Sequence, residues 1–177
     1  MEDKKTRIVC IHGFNGKANG LTYRTLKKMI PDAEYFAEQY DLLDVDAVVK
    51  RIEELKPDVL ACNSLGCFYA LNYKGPCKKI LVNPCLVPTV EIPKLDSTVS
   101  KDVLDKWNQM EIEVLSSKYP DIFGIFAKDD ELFHYKDIFD CMTDGQHSIM
   151  VEGTHILKNP GLTEGLSKAI ESLKLQV

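Results

Sequence analysis

Short apolar runs of strand length recur along this chain with amphipathic segments between them, and that alternation predicts a parallel sheet covered by helices on both faces. The candidate strands are 7–12, 33–36, 58–63, 79–83, 122–127 and 148–151. Val45, Val48, Val49, Ile52 and Leu55 recur with helical spacing behind a capping residue, Asp44, and Pro57 closes that helix. A last helix begins with Asn159 as cap and Pro160 at its first position, and Leu162, Leu166, Ala169, Ile170 and Leu173 line one face. Weaker helical patterns cover 21–30, 65–73, 101–118 and 135–142. In the 101–118 segment Val103, Leu104, Trp107, Met110, Val114 and Leu115 share a face.

One stretch breaks the regular spacing. Residues 84–120 separate two strands by far more than the usual few residues, with Pro84, Pro88 and Pro93 ahead of the Trp107 helix. An excursion at the C-terminal end of a strand is where open α/β sheets bind ligands, so 84–120 is a candidate cap over a pocket. A peripheral crossover helix with proline-stiffened loops stands as the alternative.

At 177 residues, 45% apolar and 28% charged, the chain is sized and composed as one globular domain spanning 1–177. Its formal charge of −5 and scattered basic residues argue against nucleic acid and anionic membrane as partners. The charged N-terminus passes directly into Ile8, Val9, Cys10 and Ile11 with no apolar stretch long enough for a leader or a membrane span, so a cytoplasmic location is expected. The six cysteines lie singly, without Cys-x-x-Cys pairs or zinc spacing, and read as reduced, mostly buried thiols.

Chemistry concentrates where strands end. Asn63-Ser64-Leu65-Gly66 joins an apolar strand to a helix, the context of a G-x-S-x-G nucleophile elbow, although Cys62 stands at the first glycine position. A serine needs a base, a carboxylate to orient that base, and donors for an oxyanion. His155 follows the sixth strand in a turn containing Gly153 and is the candidate base; His12, His134 and His147 compete less well. The candidate carboxylate is Asp130, with Asp129 as alternative, while Glu131 is expected to face water. The backbone N–H groups of Phe14 and Leu65 are candidate oxyanion donors, with Gly13 permitting close approach. The loop from Gly13 to Lys17 lacks the spacing of a phosphate-binding loop, since two residues stand between its glycines where four are needed.

With those residues placed, the chain resembles the α/β-hydrolases, whose chain order Ser, Asp, His it repeats, and within them the YqiA-like family of small bacterial esterases. The resemblance rests on Ile11-His12-Gly13-Phe14-Asn15, Asn63-Ser64-Leu65-Gly66 followed by Phe68-Tyr69-Ala70, Leu81-Val82-Asn83-Pro84, Asp130-Glu131 with Tyr135, and Gly153-x-His155, and it covers nearly the whole chain. It implies an open, mostly parallel six-stranded sheet in the order 2-1-3-4-5-6 and a Ser64, Asp130, His155 triad. It further implies a small-molecule ester or thioester substrate of short acyl chain, cleaved through an acyl-serine without metal or cofactor. Cys62 and Cys67 replace two glycines of the family pattern around the serine. A pocket walled by Gly13, Phe14, the 86–93 loop, Trp107 and Met110 is expected. A thioesterase or acyltransferase with the same triad, a catalytically silent binding module on the same fold, and a thiol protein built on Cys62 and Cys67 are the rivals.

Overall fold

The computed structural model describes residues 5–143, 145 and 147–176 of the chain. Six strands, β1 (Arg7–Ile11), β2 (Glu34–Ala37), β3 (Val59–Asn63), β4 (Lys78–Val82), β5 (Ile122–Asp129) and β6 (Ser148–Thr154), form one sheet in the order β2-β1-β3-β4-β5-β6. Every neighbouring pair runs parallel, with Val9 opposite Leu60 and Cys62 opposite Leu81 in the central register. Parallel strands reach their neighbours through helical crossovers, which cover both faces and explain the continuous apolar runs of β1, β3 and β4.

Alternation along each strand divides the core in two. Val9, Ile11, Leu60, Cys62 and Leu81 face one layer, made of α2 (Val45–Leu55), α3 (Leu65–Asn72), α4 (Pro88–Leu95), α5 (Lys101–Ser116) and α6 (Lys136–Met142). Ile8, Cys10, Val59, Ala61, Ile80 and Val82 face the other, made of α1 (Leu21–Met29) and α7 (Gly161–Ser172). Helix α3 is the central one: every residue from Leu65 to Leu71 is buried, so it is apolar all round where the outer helices carry a single stripe.

The helix signals held unevenly. Asp44 caps α2 through its side chain, which accepts from the Ala47 N–H at 3.2 Å. At α7, Pro160 takes the cap position and Asn159 accepts instead from the Thr163 hydroxyl at 2.7 Å. The proline-stiffened loop expected after β4 is a helix, α4, because Pro88 occupies its first position, where the missing N–H costs nothing, even though Pro93 lies in its second turn. The buried Glu111 carboxylate on α5 satisfies that first turn, accepting from the Thr89 N–H and hydroxyl, both at 2.8 Å.

The 84–120 segment therefore fills the helical layer, and the cap reading does not match its position. Helix α5 packs on α3, α2 and α4. Trp107 is fully buried there, its indole N–H donating to the Tyr69 hydroxyl at 3.1 Å, and Tyr69 donates in turn to the Leu42 carbonyl. Among the described residues no helix is long and apolar enough to cross a membrane.

Candidate active site

The ends of β1, β3, β4, β5 and β6 converge at one edge of the sheet, and the chemistry-bearing residues lie there. Ser64 sits between β3 and α3 with φ 50° and ψ −121°, a left-handed backbone that a non-glycine residue adopts at a cost of about 1–3 kcal/mol. The surrounding bonds hold it. Its N–H donates to the Val82 carbonyl at 3.0 Å, and its carbonyl accepts from the N–H groups of Cys67 at 3.0 Å and Cys85 at 3.1 Å.

Close packing makes the turn possible. A Cβ at Gly66 would lie 2.5 Å from the His12 carbonyl oxygen and 2.6 Å from that of Ile11, so α3 can approach β1 only because position 66 has no side chain. A Cβ at Gly13 would lie 2.8 Å from the Ser64 Cβ. Cysteine is tolerated at the two other positions. Cys62 points into the core, Cys67 donates its Sγ hydrogen to the Val82 carbonyl at 3.6 Å, and burial pushes both thiols well above their ordinary range.

Beyond β6, the chain turns back and places the His155 Nε2 3.2 Å from Ser64 Oγ. The opposite ring nitrogen, Nδ1, lies 3.0 Å from each oxygen of Asp130. Because a carboxylate can only accept, Nδ1 carries the hydrogen and Nε2 is left as an acceptor facing the serine hydroxyl. Burial alone raises the Asp130 carboxyl, but the bond from His155 and the N–H groups of Phe133 at 3.0 Å and Leu132 at 2.8 Å outweigh it and hold the group below the usual carboxylate range. The Phe133 ring packs edge-on to the imidazole at 4.7 Å. Asp129, the alternative partner, is exposed at the end of β5.

Two further residues position the histidine, and the sequence reading passed over both roles. Asn83, 2% exposed, donates from Nδ2 to the carbonyls of His155 at 2.8 Å and Thr154 at 3.3 Å, while its Oδ1 accepts from the Ala127 N–H at 2.7 Å. It thus ties β4, β5 and the His155 turn together. Glu131 is exposed, as expected, and its carboxylate also accepts from the His155 N–H at 2.9 Å, a bond that holds it below the ordinary glutamate range. The only available signal was position, since Asn83 and Glu131 each stand at the C-terminal edge of a strand.

None of the remaining histidines bonds the serine among the described residues, although His12 lines the same cleft. His12 Nδ1 donates to the Gly13 carbonyl at 2.7 Å and its Nε2 accepts from the Tyr40 N–H at 3.0 Å, so His12 braces the loop after β1. Gln39 braces the same loop, accepting from the Ala18 N–H at 3.1 Å and donating to the Gly16 carbonyl at 3.0 Å. His134 is exposed, and His147 precedes β6. No hydrogen bond from the Phe14 or Leu65 N–H is found among the described residues, and Leu65 is the first residue of α3.

A cleft of about 260 Å³ opens beside Ser64 and His155. Its walls come from the loop after β1, including Gly13 and Phe14, from the start of α1, and from Ile156 and Leu157. That volume is at the small end for ligand sites. Trp107 and Met110 are not among its lining residues, nor is the 86–93 segment. Trp107 belongs to the core, and Met110 faces a separate groove between α2 and α5. Among the described residues no cluster of three His, Cys, Asp or Glu side chains could hold a metal ion.

No protein-family model matches the chain, and no curated protein does. Solved structures do. A protein of Xanthomonas campestris pv. campestris, named provisionally as a hydrolase of the α/β superfamily, superposes with a TM-score of 0.66 at 18% identity over 97% of this chain and 98% of its own. A provisionally named YdeN-like hydrolase of Pectobacterium atrosepticum gives 0.59 at 17% identity, over 96% of this chain and 92% of its own. Human thioesterase 2 gives 0.55 at 12% identity, over 98% and 99%. The chain has the α/β-hydrolase fold.

Proposed function

We propose that the protein is a serine hydrolase that cleaves carboxylic esters or thioesters of small acyl groups through an acyl-serine intermediate. The observation that carries the reading is the continuous chain of contacts from Ser64 Oγ through His155 to Asp130, at 3.2 Å and 3.0 Å. Ser64 Oγ attacks the carbonyl carbon as its proton passes to His155 Nε2, and Asp130 stabilises the imidazolium that forms. The tetrahedral oxyanion takes hydrogen bonds from the Phe14 and Leu65 N–H groups, and the dipole of α3 adds to its stabilisation. Collapse expels the alcohol or thiol, protonated by His155. Water, deprotonated by the same imidazole, then attacks the acyl-serine, releases the acid and restores the hydroxyl.

The motifs around Ser64 and His155 support placing the chain with the YqiA-like esterases. The named thioesterases among its structural neighbours, human thioesterase 2 and a thioesterase domain from the curacin biosynthetic pathway, favour testing a thioester leaving group as well. A fluorophosphonate probe tests the chemistry directly. Wild type labels at Ser64 and Ser64→Ala does not; a folded wild type that resists the probe would make the protein a binding module on this fold. Turnover of matched oxyesters and thioesters then separates esterase from thioesterase.

A further inference from the structure

The cleft beside Ser64 has an electrostatic character that the protein as a whole lacks. The chain carries 27 aspartates and glutamates, yet none of them lines this cleft, and Lys17 is the one lysine or arginine that does. Lys17 is exposed and has no carboxylate partner among the described residues.

Helix α1 ends in the same cleft, with Gly20, Leu21, Thr22 and Tyr23 among the lining residues. Its cap residue is Gly20, which offers no side-chain acceptor, and its first turn contains no acidic residue. The partial positive charge of the helix start is therefore not neutralised by the protein. Thr22 supplies an independent observation. It is 5% exposed, it lines the cleft, and its hydroxyl has no hydrogen-bond partner among the described residues. That hydroxyl is not sealed off as a buried orphan, so it keeps solvent access in a residue that lines the cleft. A hydroxyl placed there is bonded by water while the cleft is empty, and a ligand that displaces the water must supply an equivalent hydrogen bond or bind more weakly.

We propose that this end of the cleft is a carboxylate subsite, and that the substrates are small esters or thioesters bearing a carboxylate away from the scissile bond. The proposal rests on the hydrolase reading for the word ester, and not for the subsite itself. The carboxylate accepts from Thr22 Oγ1 and the N–H groups that open α1, with the Lys17 ammonium over it. Leu21, Ile156 and Leu157 line the stretch of cleft that takes the apolar part of the substrate. Esters of the same length without the charge leave the Thr22 hydroxyl unpaired on binding.

The test compares p-nitrophenyl hemisuccinate with p-nitrophenyl butyrate, which share acyl length and leaving group. A second pair, butyryl glycolate against ethyl butyrate, places the charge in the alcohol half. In wild type, kcat/KM favours the charged member of at least one pair by tenfold or more. Thr22→Val lowers that ratio about tenfold, the size of one hydrogen bond to a charged group. Lys17→Gln lowers it a few-fold and flattens its dependence on salt. Lys50→Gln, on α2 and outside this cleft, leaves the ratio at its wild-type value. A ratio at or below one in both pairs, or a folded Thr22→Val with the wild-type ratio, overturns the proposal.

Calorimetric titration of Ser64→Ala with succinamate and with butyramide, which differ only in the distal carboxylate, reads the subsite without turnover. Succinamate binds at least tenfold tighter, and equal affinities refute the subsite. Failure of the fluorophosphonate probe with succinamate still preferred would remove the hydrolase reading alone. Labelling without any preference for charge would remove the subsite alone.

Discussion

Replacing Asn83 with alanine removes the residue that ties the His155 turn to the sheet, and the cost can be worked from its contacts. The side chain accepts from the Ala127 N–H at 2.7 Å and donates to the His155 carbonyl at 2.8 Å, with a longer bond to Thr154 at 3.3 Å. Truncation leaves a buried donor and an acceptor without partners, which costs about 2–4 kcal/mol in all. Asn83 also has φ 44°, and alanine in the left-handed region adds about 1 kcal/mol. Asn83→Ala is therefore expected to lose about 3–5 kcal/mol of a total stability on the order of 5–15 kcal/mol. Urea unfolding measures the loss as a lower midpoint at unchanged slope.

Asn83→Gly separates the two causes. Glycine relieves the backbone but restores no bond, so it should recover only about 1 kcal/mol relative to alanine. Because the lost bonds position His155, the rate of fluorophosphonate labelling should fall in both variants. Recovery of wild-type stability by Asn83→Gly would mean that the bonds contribute little and that backbone strain was the whole effect. Wild-type labelling rates in both variants would refute the claim that Asn83 positions the histidine.

Three further outcomes follow from the site. Gly66→Ala should destabilise the fold by about 1–3 kcal/mol, because the added carbon meets backbone oxygens of His12 and Ile11 that cannot rotate aside; an unchanged urea midpoint would contradict the close approach of α3 to β1. The Asp130 carboxyl titrates below its unfolded value of about 3.9, so its stabilising contribution is complete above that pH and is lost as pH falls through the lower folded value. The stability gap between wild type and Asp130→Asn should accordingly narrow under acid, and a gap that widens below pH of about 4 would reverse the sign of the linkage. Glu131→Ala should slow labelling a few-fold while Glu131→Gln, which keeps the acceptor for the His155 N–H, stays near wild type; equal rates in both would leave that bond without a role.

Most elements were legible because the relevant signals are local, whereas the sheet order followed from the family resemblance carried by the motifs at the strand ends. Apolar runs bounded by turn residues marked all six strands within a few residues, and Asp44 with its stripe marked α2. The approach of Ser64, His155 and Asp130 was legible from topology, since residues that end neighbouring parallel strands must gather at one edge. The Trp107 stripe was ambiguous in kind. A helix that roofs a pocket and a helix that covers a sheet bury the same pattern of residues, and only the Tyr69 contact decides between them. Helix α4 was hidden because its prolines read as breakers, whereas Pro88 opens the helix and Glu111, more than twenty residues along, satisfies its first turn. Asn83 and Glu131 act through backbone atoms of distant residues, which leave no trace in composition or periodicity.

The thiols around the elbow have a consequence for how the molecule's breathing can be followed. Cys10, Cys62, Cys67 and Cys85 are sealed in the core, and burial pushes Cys10 up to about 12, while Cys141 lies in the open. Alkylating reagents at neutral pH therefore meet the open Cys141 and the half-buried Cys77 first, and the four sealed sulfurs only when the core around them opens. Their rate of modification is a built-in clock for the opening of the sheet beneath the serine, and it needs no engineered reporter.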